Sequence, residues 1–547
     1  MSRPPFRQEF DRRRLMAWMA RSGLGAGLAA GGLPLGGIAG AWPRNVDPDP
    51  KLADYPFTLG VASGDPAVDG FVIWTRIAPR PNEPHGGMAP APVLVQWEGA
   101  ESDSFATLTA QGTALASPEL AHSVHVEVEG LRPDRPYFYR FRIAGHVSPT
   151  GRSRSLPLPH ARLDRLRFAV AGCQHYEHGF YTAWRHIAAE PVDFIFHYGD
   201  YIYETNEKGG DTITLQGNSY PRARRHNAPE PISLDDYRRR YALGKQDADL
   251  QAAHAAAPFW VSFDDHEVDN DWADAFDQDG TPPEVFLYRR AAAFQAYYEH
   301  MPLRRRSMSD GPRMAMHRMA RYGDLLNGFV LDTRQHRSDQ VPGPYYAPIT
   351  PEVADPRRTI LGAEQEAWLF DGLSRSDTRW NLIAQQVMLM HLSLADQFTG
   401  TQGYNLDRWS GYLHSRRRLL DHIERACPGN VVTVSGDAHL HYAGDLVQDQ
   451  GSGRNPGKVI ASEFLATSIS SGADGQGDDT MHSRHALAHN HALKAVCDRR
   501  GYVLCDVGRN VWHADLKVID RVTSPDGRLS IWRRLAVEHG HPGVVPA

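Results

Sequence analysis

Between residues 166 and 439 this 547-residue chain has five apolar runs, and each ends on side chains that ionise or coordinate. Leu166 to Gly172 ends at Cys173, Phe194 to Gly199 at Asp200, and Phe259 to Phe263 at Asp264-Asp265-His266-Glu267. Leu382 to Ala384 ends at Gln385-Gln386, and Val431 to Gly436 at Asp437-Ala438-His439. Runs this uniformly apolar fit strands buried on both faces, and open α/β sheets gather ligands at the carboxyl ends of such strands. Helical segments at Asp235 to Leu243 and Val285 to His300 alternate with them, which implies an α/β domain with a sheet covered on both sides. Taken singly, each feature has an ordinary explanation: aspartates after strands cap helices, a lone cysteine packs in a core, and His439 with His441 decorates a surface. Their convergence is what demands a site.

The front of the chain follows another rhythm. Short β-rich runs at Phe71 to Trp74, Val93 to Trp97, Val124 to Val128 and Tyr137 to Ile143 are separated by Pro, Gly and Asp, which predicts a small β-sandwich over residues 42–154. Gly130-Leu131-Arg132-Pro133 followed by Tyr137 resembles the fibronectin-III tyrosine corner, in which the tyrosine hydroxyl bonds the backbone upstream. The expected role is structural, with carbohydrate or partner binding as the alternative. A Ser-, Pro- and Arg-rich seam from Ser148 to Pro159 precedes the larger domain, residues 155–547.

The first 41 residues read as an address. Asp11-Arg12-Arg13-Arg14 leads into a Gly-, Ala- and Leu-rich stretch, and Ala39-Gly40-Ala41 offers a small-residue cleavage site. This pattern resembles a twin-arginine export signal, so the twin-arginine machinery is an expected partner and a periplasmic or secreted location is expected. The stretch is interrupted by glycine and followed by Pro43, which argues against a stable membrane anchor. The formal charge is −6, and six of the 59 basic residues lie in this segment, so the remaining body is more acidic still. An acidic body excludes a phosphate-backbone binder of nucleic acid, which needs a basic stripe. Of the four cysteines, Cys497 and Cys505 are placed to pair, although the strand-like Gly501 to Leu504 would hold them apart.

In order, Gly199-Asp200-x-x-Tyr203, Asp265-His266-Glu267 and Gly436-Asp437-x-His439 resemble the metallophosphoesterase pattern. Cys173 stands where many members carry Asp or His, Asp265 where they carry Asn, and Asp437 where they carry a first His. That variant is similar to the alkaline phosphatase D (PhoD) family. Leu59 to Pro66, Trp74-Thr75-Arg76, Gly172-Cys173-Gln174, Asp264 to Asn270, Leu331 to Asp339 and Gln385-Gln386-Val387 agree with it, and the likeness runs from about Thr58 past Ser471. It implies a two-sheet metallophosphoesterase core flanked by helices, and an exported hydrolase of phosphate mono- or diesters that uses metal-activated water.

The resemblance also implies the site. Cys173, Asp200, Tyr203 and His439 form an anionic set suited to ferric iron. Asp200 as a bridge, Asp265 and Asp437, with Gln386 and Asn270 as neutral oxygens, form a set suited to calcium. His266 is expected either to contact the phosphoryl group and protonate the leaving oxygen or to orient Asp265. Arg337 is expected to clamp a phosphate oxygen, with Arg334 as its competitor. Within the family the runner-up activity is a phospholipase D; from another class, it is a non-catalytic calcium-binding or adhesion protein. The loops at Gly209 to Pro231 and Ser468 to Asp479 are expected to be lids or simply mobile, and His482, His485, His489 and His491 an exposed helix.

Overall fold

In the computed structural model, residues 46–47, 50–215, 217–395, 402–448 and 457–547 are described; the proposed signal over 1–41 lies outside them. Two large mixed sheets lie face to face. One has ten strands, and its central part consists of Arg165–Ala171, Phe194–His197, Phe259–Val261 and Val61–Ala67 in parallel. The other has seven, with Leu326–Val330, Trp380–Ala384, Val431–Ser435 and Val459–Leu465 in parallel.

Alternation along each strand explains why the runs are apolar throughout. Phe168, Val170, Phe194, Phe196 and Trp260 point between the sheets and meet Leu382, Ala384, Val432 and Val434 from the other sheet. The intervening Ala169, Ala171, Ile195, Phe259 and Val261 face outward against helices Thr182–Ala188, Leu234–Lys245, Ala248–Ala256 and Pro283–His300. On the far side, Ile383, Val431 and Leu465 pack under helices Gly362–Ser374, Leu413–Ala426 and Met481–His489. Two-residue periodicity thus sends half of each strand to each layer. The expected α/β class with helices on both outer faces is what the chain adopts.

The front segment departs from expectation in one respect. The predicted strands are present, as Gly70–Arg76, Val93–Ala100, Ser123–Val128 and Pro136–Ile143. Yet Val61–Ala67, Gly70–Arg76 and Ser123–Val128 belong to the ten-stranded sheet, and Gly64 pairs in parallel with Phe259. The other front strands form a five-stranded sheet that packs across a core of Phe71, Ile73, Val95, Tyr139 and Phe141. One layer of the sandwich is therefore an extension of the main sheet, and Asp47–Ala547 forms one compact unit. Tyr137 behaves as its corner position predicts: its hydroxyl accepts from Arg132 N at 2.9 Å and donates to Arg132 O at 3.2 Å.

Cys497 and Cys505 sit in different sheets, and all four cysteines are buried free thiols. No helix among the described residues is long and apolar enough to cross a membrane.

Candidate active site

Cys173, Asp200, Asp437 and His439 all come after their strands in the left-handed backbone region, at φ of 51°, 56°, 67° and 59°. L-residues pay for such angles and hold them only when surroundings dictate it, which is characteristic of functional sites. The bend after each strand turns the next side chain back across the strand ends, where the two sheets meet.

Asp200 is at the middle of the resulting cluster. Its Oδ2 accepts hydrogen bonds from Cys173 Sγ at 3.1 Å and Tyr203 Oη at 2.8 Å. Tyr203 Oη in turn accepts from Ser471 Oγ at 2.7 Å and lies 3.0 Å from His439 Nε2. Cys173, Asp200 and His439 each bring a ligand atom within 4.8 Å of the others, as do Asp200, Asp265 and His266, and Asp264, Asp265 and Asp437. Three buried carboxylate oxygens in this region, Asp200 Oδ1, Asp264 Oδ2 and Asp265 Oδ1, have no hydrogen-bond partner. Unpaired buried anionic oxygens are costly, and a bound cation is what would satisfy them.

Three expected site residues are engaged with neighbouring protein groups. Gln386 has its amide fully occupied: Nε2 donates to Ser262 Oγ and Leu331 O, and Oε1 accepts from Thr333 N and Oγ1. Asn270 donates through Nδ2 to Gln278 Oε1 at 2.8 Å, a bond that leaves its Oδ1 oxygen available as a ligand. Arg337 has a side chain with no exposure and donates to Thr333 O and Asp407, bonds that brace the loop, while its buried Nη2 has no hydrogen-bond partner. Its competitor Arg334, equally buried, donates to Asp264 Oδ1 at 2.6 Å and Asp407 Oδ1 at 2.9 Å, with Nη2 3.7 Å from Asp265 Oδ1. Arg408, which the sequence did not single out, donates to Asp437 Oδ2 at 2.9 Å.

Other supporting residues carried no assigned role in the sequence, although Glu267 stood in the Asp265-His266-Glu267 motif. Glu204, fully buried, receives His266 Nδ1 at 2.7 Å and Asn270 N at 3.1 Å. Glu267 accepts the backbone N–H groups of Asp200, Tyr201 and Asp264. Ser470 Oγ donates to His175 O and Ser471 Oγ accepts from His175 N, so this part of the Ser468–Asp479 loop is fastened to the site. The other loop carries the hairpin Thr212–Leu215 and Asn218–Pro221. A cleft of about 270 Å³ borders the cluster, and its lining includes Tyr203, His266 and His439 together with His175, His178 and Glu207. The histidine-rich segment forms the helix Met481–His489, from which His482 is 2.6 Å from Tyr442 Oη.

Burial dominates the electrostatics. It pushes the Cys173 thiol and Tyr203 phenol well above their usual range, with Asp200 adding to both, and raises Asp200 itself to about 6. Burial drops His439 to about 3, leaving a neutral imidazole. For His266 burial acts downward, but Glu204, Asp265 and Asp200 outweigh it and hold the ring protonated. Protein groups alone thus leave the anionic donors undercompensated, which is the electrostatic signature of a cation site.

A buried cluster of thiol, phenol, imidazole and carboxylates at the ends of two packed sheets defines a hydrolase site built to hold cations. Comparison with known proteins gives the family. Residues 168–516 match the PhoD-like phosphatase model and residues 42–157 its N-terminal domain model. The chain is 43% identical over 524 residues to alkaline phosphatase D of Bacillus subtilis (strain 168), covering 95% of this chain and 86% of that one. A solved structure titled "Structure of PhoD" superposes with a TM-score of 0.86 at 42% identity, covering 91% of this chain and 93% of that one. The chain belongs to the PhoD-like phosphatases and is a phosphoric ester hydrolase.

Proposed function

We propose that this hydrolase is exported and uses ferric iron and calcium to cleave phosphate mono- and diesters. The observation that supports this best is the buried Asp200 carboxylate, bonded through one oxygen to Cys173 and Tyr203 while the other is unpartnered. Cys173, Asp200, Tyr203 and His439 would hold iron; Asp200, Asp265 and Asp437 would hold calcium. When bound, such a pair supplies Lewis-acid charge that activates water and neutralises the phosphoryl oxygens.

The chain's own residues do the rest. Arg334 and Arg408 fix the carboxylates of Asp264 and Asp437. His266, held at Nδ1 by Glu204, faces the cleft and donates a proton to the departing alcohol oxygen. That oxygen keeps the electron pair of the breaking P–O bond, while the water oxygen joins phosphorus and the water's proton restores His266. Export is supported by the twin-arginine pattern before Trp42.

The test is metal analysis of the purified protein together with hydrolysis of a mono-aryl and a bis-aryl phosphate. Iron plus calcium, and release of the aryl alcohol from either ester, is expected. Full activity after complete chelation would overturn the metal assignment, and release of choline from phosphatidylcholine in preference to both aryl esters would favour a phospholipase D.

A further inference from the structure

In the lining of the same cleft, next to the proposed metal ligands, stand His175, His178 and Glu207, whose ligand atoms also lie within 4.8 Å of one another. By residue type they look like a further metal site. Their hydrogen bonds say otherwise. The Nδ1 of His175 accepts the backbone N–H of Glu177 at 3.2 Å, and the Nδ1 of His178 accepts that of Gly472 at 3.1 Å. A ring nitrogen that accepts carries no proton, so each neutral imidazole bears its hydrogen on Nε2. Metal-ligating histidines have the opposite arrangement, with the far nitrogen donating its hydrogen so that the near one offers a lone pair.

The two rings stack at 3.6 Å between centroids and 4° between planes, which fixes their direction. His178 spends its Nε2–H on Glu207 Oε1 at 2.8 Å. That leaves the Nε2–H of His175 and the second carboxylate oxygen of Glu207, Oε2, for a molecule in the cleft that both residues line, and a ring nitrogen of the one lies within 4.8 Å of a carboxylate oxygen of the other. His175 also lies against Tyr203, a proposed iron ligand, with ring centroids 4.5 Å apart.

The geometry points to a subsite for a hydroxyl group on the alcohol portion of the ester: the hydroxyl oxygen accepts a hydrogen bond from His175 Nε2 and the hydroxyl donates one to Glu207 Oε2. A hydroxyl is the small group that both accepts and donates, and neither an aryl ring nor a simple alkyl chain satisfies both partners. This assignment rests on the phosphate-ester reading of the neighbouring cluster.

The test compares kcat/KM for glycerol 1-phosphate and propyl phosphate on the metal-loaded enzyme, with p-nitrophenyl phosphate as a third ester. The wild type should favour the glycerol ester by about 10-fold, the equivalent of one hydrogen-bonded pair. His175→Phe, which keeps a flat ring against Tyr203, and Glu207→Gln should each bring that ratio close to unity, mainly through KM. A ratio unchanged in both variants would overturn the assignment, as would loss of one metal equivalent per chain in either, since the trio would then be a metal site. If the wild type hydrolysed none of the three esters, the phosphate-ester reading itself would fall; hydrolysis with an unaltered ratio would remove this inference alone.

Discussion

Glu267 Oε2 accepts the backbone N–H of Asp200 at 3.1 Å, so a residue from one strand end fixes the left-handed turn of another. The same carboxylate holds Tyr201 N at 2.6 Å and Asp264 N at 2.9 Å. Glu267→Ala would leave three buried donors without a partner. A loss of about 3 kcal/mol or more is expected in denaturant unfolding, together with weaker metal retention. Unchanged stability and metal content would show that the turn holds without it.

Asp200→Asn removes charge at the centre of the cluster while keeping its shape. Changes to residues that only orient metal ligands typically cost 10- to 100-fold in metal affinity or activity, so a change at the proposed bridging ligand should cost about 100-fold or more in kcat on aryl phosphates. Tyr203→Phe should remove the phenolate part of the visible absorption of the iron-loaded protein, and Cys173→Ser the thiolate part. Retention of both bands in the two variants would separate these residues from the iron.

Arg337 has no exposed side-chain surface and shares Asp407 with Arg334. Arg337→Met should lower stability by about 2–4 kcal/mol, because one member of a buried charge network is lost, while KM for an aryl phosphate stays the same. A tenfold rise in KM at unchanged stability would restore it as a phosphate clamp.

Lys245 gives the pH dependence. It is buried with its ammonium 4.2 Å above the Trp74 ring, and burial lowers its pKa from 10.5 to about 7. Between those two values the unfolded chain binds a proton that the folded chain has released, so stability rises with pH across this window and the penalty is fully present below it. Lys245→Met should flatten stability between about pH 7 and pH 10 and raise it at neutral pH by up to about 4 kcal/mol, less whatever the aromatic contact returns. A variant with the same slope as the wild type would place the titration elsewhere.

The strand ends were legible because burial on both faces writes itself as a continuous apolar run, and the residue that closes such a run is its immediate neighbour in sequence. The partners were not. Glu204 and His266 meet across 62 positions, Arg334 and Asp264 across 70, and nothing in the local pattern marks either pair. Gln386 does come after its strand, but position at a strand end does not say where an amide points, and Thr333 and Ser262 claim it from both sides. Arg334 and Arg337 are three residues apart in a tight turn; a change of direction within that turn, invisible in composition, decides which of them meets Asp264. The front strands were read correctly one by one, whereas the parallel pairing of Gly64 with Phe259 joins segments nearly two hundred residues apart.

That pairing has a practical corollary. The matched family segments break between residues 157 and 168, and a fragment begun there would contain every proposed ligand. It would also strip the neighbour from Phe259–Val261, the strand that leads into Asp264 and Asp265, and leave its backbone amides and carbonyls as a bare apolar edge. Such an edge recruits strands from other molecules. The front segment thus covers that edge, and severing it should yield aggregates before it yields a smaller enzyme.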